Sequence, residues 1–91
     1  MTGGEVRVVL PAVLVALFPG CPREMVVRAA TVAEAVAAID ERFPGLRDRI
    51  CDTRPAIRRH MNVFVAGERA RLETTLPPGA EVFVMTAISG G

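Results

Sequence analysis

The sequence predicts an α+β fold in which a mixed sheet of four to five strands packs on one main helix. The 91 residues, of which 51% are hydrophobic, suit one small domain and leave no room for a second. One segment near the middle has helical periodicity, and short β-rich segments lie on both sides of it. The predicted order is therefore β-β-α-β-β-β, in a single domain over residues 1–91 whose last part, residues 86–91, is an extended arm.

Two strands are predicted before the helix. The first covers residues 5–10, where apolar side chains alternate until Pro11 ends the pattern. The second covers residues 24–28, with Met25 and Val27 on one face. We expect these two strands to form a hairpin. The residues between them are compatible with a loop, a turn or a short helix.

The apolar run of residues 8–18 has a competing interpretation, as a lipoprotein signal that ends at Cys21. Against it, Glu5 cancels the charge of Arg7 in the flanking segment, and Phe18 is bulky where such signals carry small residues. The run is also too short for a transmembrane helix, which needs about 20 residues. A buried strand followed by a loop is the simpler interpretation, and we expect a cytoplasmic protein.

The main helix is predicted to begin after Thr31, which has the T-x-x-E spacing of a capping box with Glu34. In such a box, each side chain accepts a hydrogen bond from a free backbone N–H of the first turn. The apolar residues that follow are spaced by four, three and four and share one helical face: Val32, Val36, Ile39 and Phe43. Pro44 and Gly45 end the helix, and residues 46–50 suit one more helical turn.

Three strands are predicted after the helix. Residues 61–66 form the third strand, which a turn at Gly67 connects to a short fourth strand at residues 70–72. Pro77-Pro78-Gly79 suits a type II turn, because proline fixes φ at one central position and glycine adopts the positive φ of the next. Residues 81–85 form the last strand.

The last strand is apolar on both faces, since Phe83 and Met85 alternate with Val82 and Val84. A single helix covers only one face of a small sheet. The other face is then exposed or docked against a partner, and Phe64 on the third strand extends it. Alternatively, the segment between the first two strands folds over it.

The composition excludes several functions. Eleven basic residues, all of them arginine, balance ten acidic ones to a net charge of +1, whereas a protein that follows a phosphate backbone carries a basic excess. Without lysine, the chain has no side-chain amine for Schiff-base chemistry and no P-loop lysine. The absence of Trp and Tyr removes most base-stacking side chains.

Metal and nucleophile chemistry are not indicated either. Cys21 and Cys51 lack CxxC spacing, and His60 is the one histidine, whereas a zinc site needs about four clustered ligands. We expect reduced, unpaired cysteines and a solvated His60. Residues 42–59 hold six arginines against two aspartates. This run is predicted to be a solvated face or, alternatively, a rim contact to an acidic partner surface.

The end of the chain is the strongest functional signal. Small residues follow the last strand and finish in Gly90 and Gly91. Such an arm fits a narrow tunnel, because glycine lets surrounding backbone approach closely. The reactive group at its tip is the α-carboxylate of Gly91, which needs no side chain. Alternatively, the glycines are an idle end.

Together these features resemble the ubiquitin-like β-grasp sulfur carriers of the MoaD/ThiS/CysO group, from about Glu5 to Gly91. The segments TVAE and FPGL resemble the family's helix and its exit, MNVFVAGE its VNVFVNGE strand and turn, and PGAEV its DGDEV turn. The tail TAISGG is similar to the family's PAVAGG, with Thr86 in place of proline and Ser89 in place of a small apolar residue. Ala66 stands where the family often has asparagine, which leaves the turn type open.

The resemblance implies a sulfur carrier that is not itself an enzyme and binds no cofactor, metal, nucleic acid or membrane. An ATP-dependent E1-like enzyme, similar to MoeB or ThiF, would adenylate the Gly91 carboxylate, and a persulfide would convert it to a thiocarboxylate. The implied site residues are the reactive Gly90 and Gly91, the sheet residues Phe64, Phe83 and Met85, and the arm residues Ala87, Ile88 and Ser89.

Several acceptors of the sulfur stay open. The chain length, the long connection at residues 52–60 and the segment LPAVL resemble the cysteine-forming carrier more than the short thiamin carrier. The acceptor would then be a pyridoxal-phosphate cysteine synthase or another sulfur-inserting synthase. The alternatives are the small subunit of molybdopterin synthase, acting with its large subunit, a ubiquitin-like protein modifier, and a binding module with an idle tail.

Overall fold

The computed structural model describes residues 3–86, which contain five strands and three helices. In chain order the elements are β1 (Gly4–Val9), α1 (Ala12–Val15), β2 (Glu24–Ala29), α2 (Val32–Arg42), α3 (Leu46–Ile50), β3 (Met61–Val65), β4 (Glu68–Arg69) and β5 (Glu81–Thr86). The predicted order is confirmed. The segment between the first two strands, which the sequence left undecided, contains the short helix α1.

The strands form one mixed sheet in the order β2-β1-β5-β3-β4. β1 and β5 are parallel, and every other neighbouring pair is antiparallel. β1 and β2 form the predicted hairpin. The predicted α+β class, with a mixed sheet packed on one main helix, is confirmed, and β5 occupies the centre of the sheet.

The core lies between one face of the sheet and the helices. Alternate strand residues point into it, among them Val8, Val63 and Val82, which are at most 1% exposed. The predicted apolar face of α2 covers them, since Val32, Val36 and Ile39 are buried and Phe43 packs against the cluster. No polar or charged residue is buried among those that the structure describes. The interior therefore consists of apolar packing.

Thr31 caps α2 as predicted, because its Oγ1 accepts a hydrogen bond from the N–H of Glu34 at 3.2 Å. The other half of the predicted capping box is different. The Glu34 carboxylate accepts from the N–H of Ala30, at 2.7 Å, and not from the first turn. Two free N–H groups of that turn bond instead to backbone carbonyls of residues 72 and 74, so the chain after β4 completes the cap.

The segment between β1 and β2 packs on the helical side of the sheet. Leu14 of α1 is 4% exposed, and a Cβ placed on Gly45 would stand 3.1 Å from the ring of Phe18. Val13 and Leu17 face solvent, at 59% and 51% exposure. The alternative in which this segment covers the other face of the sheet is therefore wrong. Within residues 3–86, no helix has the length and hydropathy needed to cross a membrane.

A two-residue turn, Ala66-Gly67, joins β3 to β4. Both residues have positive φ, at 53° and 81°, which indicates a type I′ turn. The fourth strand is consequently Glu68–Arg69, and the predicted strand at residues 70–72 is wrong. Because the turn has only two residues, β4 pairs with β3 directly after it. The chain then leaves the edge of the sheet and reaches the N-terminus of α2.

The predicted type II turn before β5 is confirmed. Gly79 has a φ of 86°, and the N–H of Ala80 donates to the carbonyl of Pro77 at 3.1 Å. This turn delivers the chain into β5. The strand ends at Thr86, one residue further than predicted.

Candidate functional site

β5 is the central strand of the sheet, and it leads towards the C-terminus of the chain. Val82 pairs with Val8 of β1 on one side and Val65 of β3 on the other. Thr86, predicted as the first residue of the arm, belongs to the strand and lies opposite Met61. Two neighbouring strands therefore hold β5. The remaining residues of the predicted arm and reactive end lie outside the described residues: Ala87, Ile88, Ser89, Gly90 and Gly91.

Apolar side chains meet on the face of the sheet that the helices leave open. Phe83 lies opposite Phe64 of β3 and beside Val9 of β1, so the three form one row across three strands. All three are half-buried, and Met85, two residues after Phe83 on the same face, is 46% exposed. We call these four residues the outer patch. The structure thus brings together the three sheet residues that the sequence predicted as partner-binding.

Sequence reasoning missed Val9 in this patch. The residue follows the buried Val8 and therefore points outward, but it stands in a continuous apolar run in which alternation is hard to see. Its membership depends on the parallel pairing that places β1 beside β5. Neither strand's own sequence shows which strand is its neighbour.

Charged residues border the outer patch on β1, β2 and β5. The Arg7 guanidinium lies 3.4 Å from the Glu81 carboxylate and 3.8 Å from that of Glu24. All three side chains are about half exposed, so each pair contributes at most about 1 kcal/mol to stability. Such charges suit the rim of an interface, where they orient a partner and raise its association rate.

The two thiols belong to the core. Cys21 and Cys51 are unpaired and are 7% and 6% exposed. Burial raises the pKa of both thiols above the usual value of cysteine, which keeps them protonated and weakly nucleophilic at neutral pH. His60 is exposed, as expected. The part of the chain that the structure describes contains no group of three potential metal ligands.

The arginine-rich run of residues 42–59 is partly structural. Arg42 donates to a backbone carbonyl of β2 and Arg58 to one of α3. Arg54 binds the carboxylate of Asp52 and thereby holds the pKa of that carboxyl at about 2. Five of the six arginines are nevertheless exposed, and only Arg58 is half-buried. The run is therefore a largely solvated face, as predicted, and contact with an acidic partner stays a prediction.

The fold and the outer patch define a class of protein, the small ubiquitin-like β-grasp domains. Solved structures agree with this assignment. The crystal structure of SAMP1 from Haloferax volcanii matches 97% of this chain and 100% of that one, with a TM-score of 0.80 and 28% identity. A chain in the crystal structure of the Amycolatopsis orientalis BexX/CysO complex matches over 94% and 99%, with a TM-score of 0.83 and 26% identity.

A third structure, that of Mycobacterium tuberculosis CysO, has the same fold, with a TM-score of 0.82 and 20% identity over 91% of this chain and 99% of that chain. No curated protein sequence matches the chain. The sequence profile of the ThiS family matches residues 16–91, and the chain belongs to that family. The resemblance to the ubiquitin-like β-grasp sulfur carriers of the ThiS/MoaD/CysO group is thereby confirmed.

Proposed function

We propose that the Gly91 carboxylate of this carrier is converted to a thiocarboxylate that donates sulfur in the biosynthesis of cysteine or another sulfur metabolite. The position of β5 carries this proposal. The central strand ends at Thr86, five residues before Gly91, and it contributes Phe83 and Met85 to the outer patch. Because only five residues follow Thr86, a partner that docks on Phe83 and Met85 would lie within reach of the Gly91 carboxylate. Membership of the ThiS family supports this function.

The chemistry needs only the α-carboxylate of Gly91. A carboxylate resists nucleophilic attack because its oxygen is a poor leaving group. A partner E1-like enzyme would transfer AMP from ATP to this carboxylate and release pyrophosphate, which makes AMP the leaving group. Sulfide then attacks the carbonyl carbon and expels AMP. With a persulfide as nucleophile, the product is an acyl disulfide, and a second thiol reduces it to the thiocarboxylate.

In this proposal the chain is a carrier and not an enzyme. ATP is bound by the activating partner, and the acceptor enzyme supplies the electrophile that the thiocarboxylate sulfur attacks. Hydrolysis of the resulting thioester-like intermediate returns the Gly91 carboxylate. Both partners would dock on the outer patch, and the carrier would work in the cytoplasm beside them.

We propose a pyridoxal-phosphate enzyme that forms cysteine as the acceptor. The similarity to a chain of the BexX/CysO complex supports a role like that of CysO. Transfer of sulfur from the loaded carrier to an activated serine, with cysteine as the product, would establish this acceptor. A stable complex with the large subunit of molybdopterin synthase would establish the alternative acceptor instead.

Intact-mass spectrometry tests the loading step directly. The protein is incubated with an E1-like enzyme, ATP and sulfide, and we expect the intact mass to show one oxygen exchanged for sulfur. Digestion then assigns the change to the C-terminal peptide. A chain without Gly91 is the matched control, because it keeps every residue of the folded domain and should stay unmodified. If several cognate activating enzymes produce no exchange, the sulfur-carrier proposal fails.

A protein modifier is the second candidate function. The small archaeal modifier protein 1 of Haloferax volcanii matches this chain at 28% identity, and the same adenylate would react there with a lysine amine of a target protein. This chain has no lysine, so polymers of the modifier could grow only through its N-terminus. Lysine-linked adducts that disappear when Gly91 is deleted would establish this function.

A further inference from the structure

β2 forms one edge of the sheet, and the hydrogen-bond pattern shows which of its backbone groups are left over. In an antiparallel pair, opposed residues alternate between bonded and non-bonded pairs. Leu10 donates to the carbonyl of Arg23 at 2.7 Å, which makes this pair a bonded one. From this pair, every second pair along the register of β1 and β2 is also bonded. The β2 residues between the bonded pairs direct their N–H and C=O groups away from β1, and they are Glu24, Val26 and Arg28.

The bonds of β1 on its other side agree with this count. Arg7, which lies opposite Val26, donates its N–H to Ala80 next to β5. Glu5, which lies opposite Arg28, accepts from Gly79. We call the outward-directed backbone of Glu24, Val26 and Arg28 the β2 edge. Unpaired strand edges of this kind are ready templates for a further strand.

One side chain covers part of the β2 edge. The Arg42 guanidinium, at the end of α2, donates from Nη2 to the carbonyl oxygen of Val26 at 3.0 Å. Charged groups placed on an edge are a common protection against uncontrolled pairing. The protection is incomplete, because this bond engages only the carbonyl of Val26. The side chain of Val26 is also 48% exposed on the open face of the sheet.

The side chains of the β2 edge are complementary to a second copy of themselves. In an antiparallel pair centred on Val26, residue 26 of one copy faces residue 26 of the other, and residue 24 faces residue 28. Glu24 then lies opposite the partner copy's arginine at position 28, and the reverse pair follows by symmetry. The outward-directed groups of all three residues fall on the bonded positions of the new ladder, where each pair exchanges two hydrogen bonds. The same patch on both copies is what a two-fold interface requires.

We propose that two copies of this protein associate through the β2 edge, in antiparallel register centred on Val26, and that Arg42 limits this association. Pairing buries the two exposed valines against each other and joins opposite charges on either side of them. It also requires Arg42 to release the carbonyl of Val26, which makes the association weak and dependent on protein concentration. β1 separates β5, with Phe83 and Met85, from the β2 edge, so a dimer would present two independent carrier ends.

NMR spectra recorded over a range of concentrations test the site on the full-length protein. We expect concentration-dependent shifts of the amide signals of Glu24, Val26 and Arg28, and sedimentation should show a reversible dimer. Arg42→Ala should strengthen the association, because it uncovers the β2 edge. Shifts confined to the outer patch, or a protein that stays monomeric when Arg42 is removed, would overturn the proposal.

Charge reversal tests the register. Glu24→Arg and Arg28→Glu should each weaken self-association about tenfold, because like charges then face each other in two symmetric pairs. An equimolar mixture of the two variants should associate again, since every arginine then faces a glutamate. Glu24→Arg also removes the ion pair with Arg7, and either variant could be less stable. The mixture contains the same two altered chains, so neither effect can produce this recovery. A mixture as weak as its components overturns the register.

Discussion

Phe64 and Phe83 lie directly opposite each other on the antiparallel strands β3 and β5, and both rings are half-buried on the open face of the sheet. Directly opposed residues have Cβ atoms about 4.5–5.5 Å apart, so the two rings present one continuous apolar surface. This surface is rigid because both strands pair on either side. Rigid aromatic side chains that sit partly exposed are typical anchors of protein interfaces.

We expect Phe83→Ala to slow thiocarboxylate formation about tenfold or more, because truncating a central aromatic anchor typically costs about 2 kcal/mol of binding energy. The initial rate is measured at a carrier concentration well below saturation. Val13→Ala shortens an apolar side chain that is 59% exposed on α1, and it should load at the normal rate. Equal rates for the two variants would contradict docking through the outer patch.

Ala66 is expected to be a weak point of the fold. An L-residue in the left-handed region costs roughly 1 kcal/mol, and asparagine is favoured at this position of a type I′ turn. We therefore expect Ala66→Asn to raise the free energy of unfolding by about 0.5–1 kcal/mol, as measured by urea denaturation. Ala16→Asn is the matched control, since Ala16 is exposed with a φ of −63° and should gain nothing. A destabilised Ala66→Asn protein would contradict the type I′ assignment.

Asp52 should contribute a small pH dependence of stability at acid pH. Hydrogen bonds from Arg54 and from the N–H of Ala56 hold the pKa of this carboxyl at about 2, below the ordinary 3.8. The folded state therefore binds this proton less readily than the unfolded state. The stabilisation is complete above pH 3.8 and is lost as the pH falls towards about 2.

An NMR titration of the Asp52 side-chain carbon should give a midpoint at about 2. Arg54→Gln removes the guanidinium and should move this midpoint towards the ordinary value. Asparagine does not bind a proton in this range. The free energy of unfolding of Asp52→Asn should therefore fall less than that of the unaltered protein as the pH is lowered. An unchanged midpoint in Arg54→Gln would show that Arg54 does not cause the low pKa.

The cysteines are expected to take no part in sulfur loading. Cys21 and Cys51 are buried and their pKa values are raised, so a maleimide should label them slowly in the native protein and rapidly in denaturant. The variant with both cysteines replaced by alanine should still acquire sulfur at the C-terminus. Loss of loading in a variant that remains folded would place a thiol in the transfer reaction.

Local patterns made most of the fold predictable. The apolar face of α2 and the cap at Thr31 depend on residues a few positions apart, and both were identified. β4 was misplaced because its start depends on Ala66 adopting a positive φ, which an alanine does not indicate. The carboxylate of Glu34 also reaches one residue further back than the usual box, to Ala30.

Features that depend on distant parts of the chain were not predictable from local pattern. Alternation correctly placed Phe64, Phe83 and Met85 on one face, whereas Val9 joins them only through the pairing of the first strand with the last. In the same way, the contact of Arg42 with Val26 joins the end of α2 to a sheet edge, and no motif marks it. The arm and Gly91 stay predictions from the family resemblance.

The parallel pairing of β1 with β5 gives the domain a mechanical clamp. β1 begins at Gly4 and β5 ends at Thr86. Because the two strands run in the same direction, these two points lie at opposite ends of the ladder. Tension between the chain ends therefore acts along the strands and loads the evenly spaced bonds of the ladder together, instead of opening them one by one. A partner enzyme that pulls the C-terminal end away from the N-terminal end would load these bonds in parallel and not in sequence.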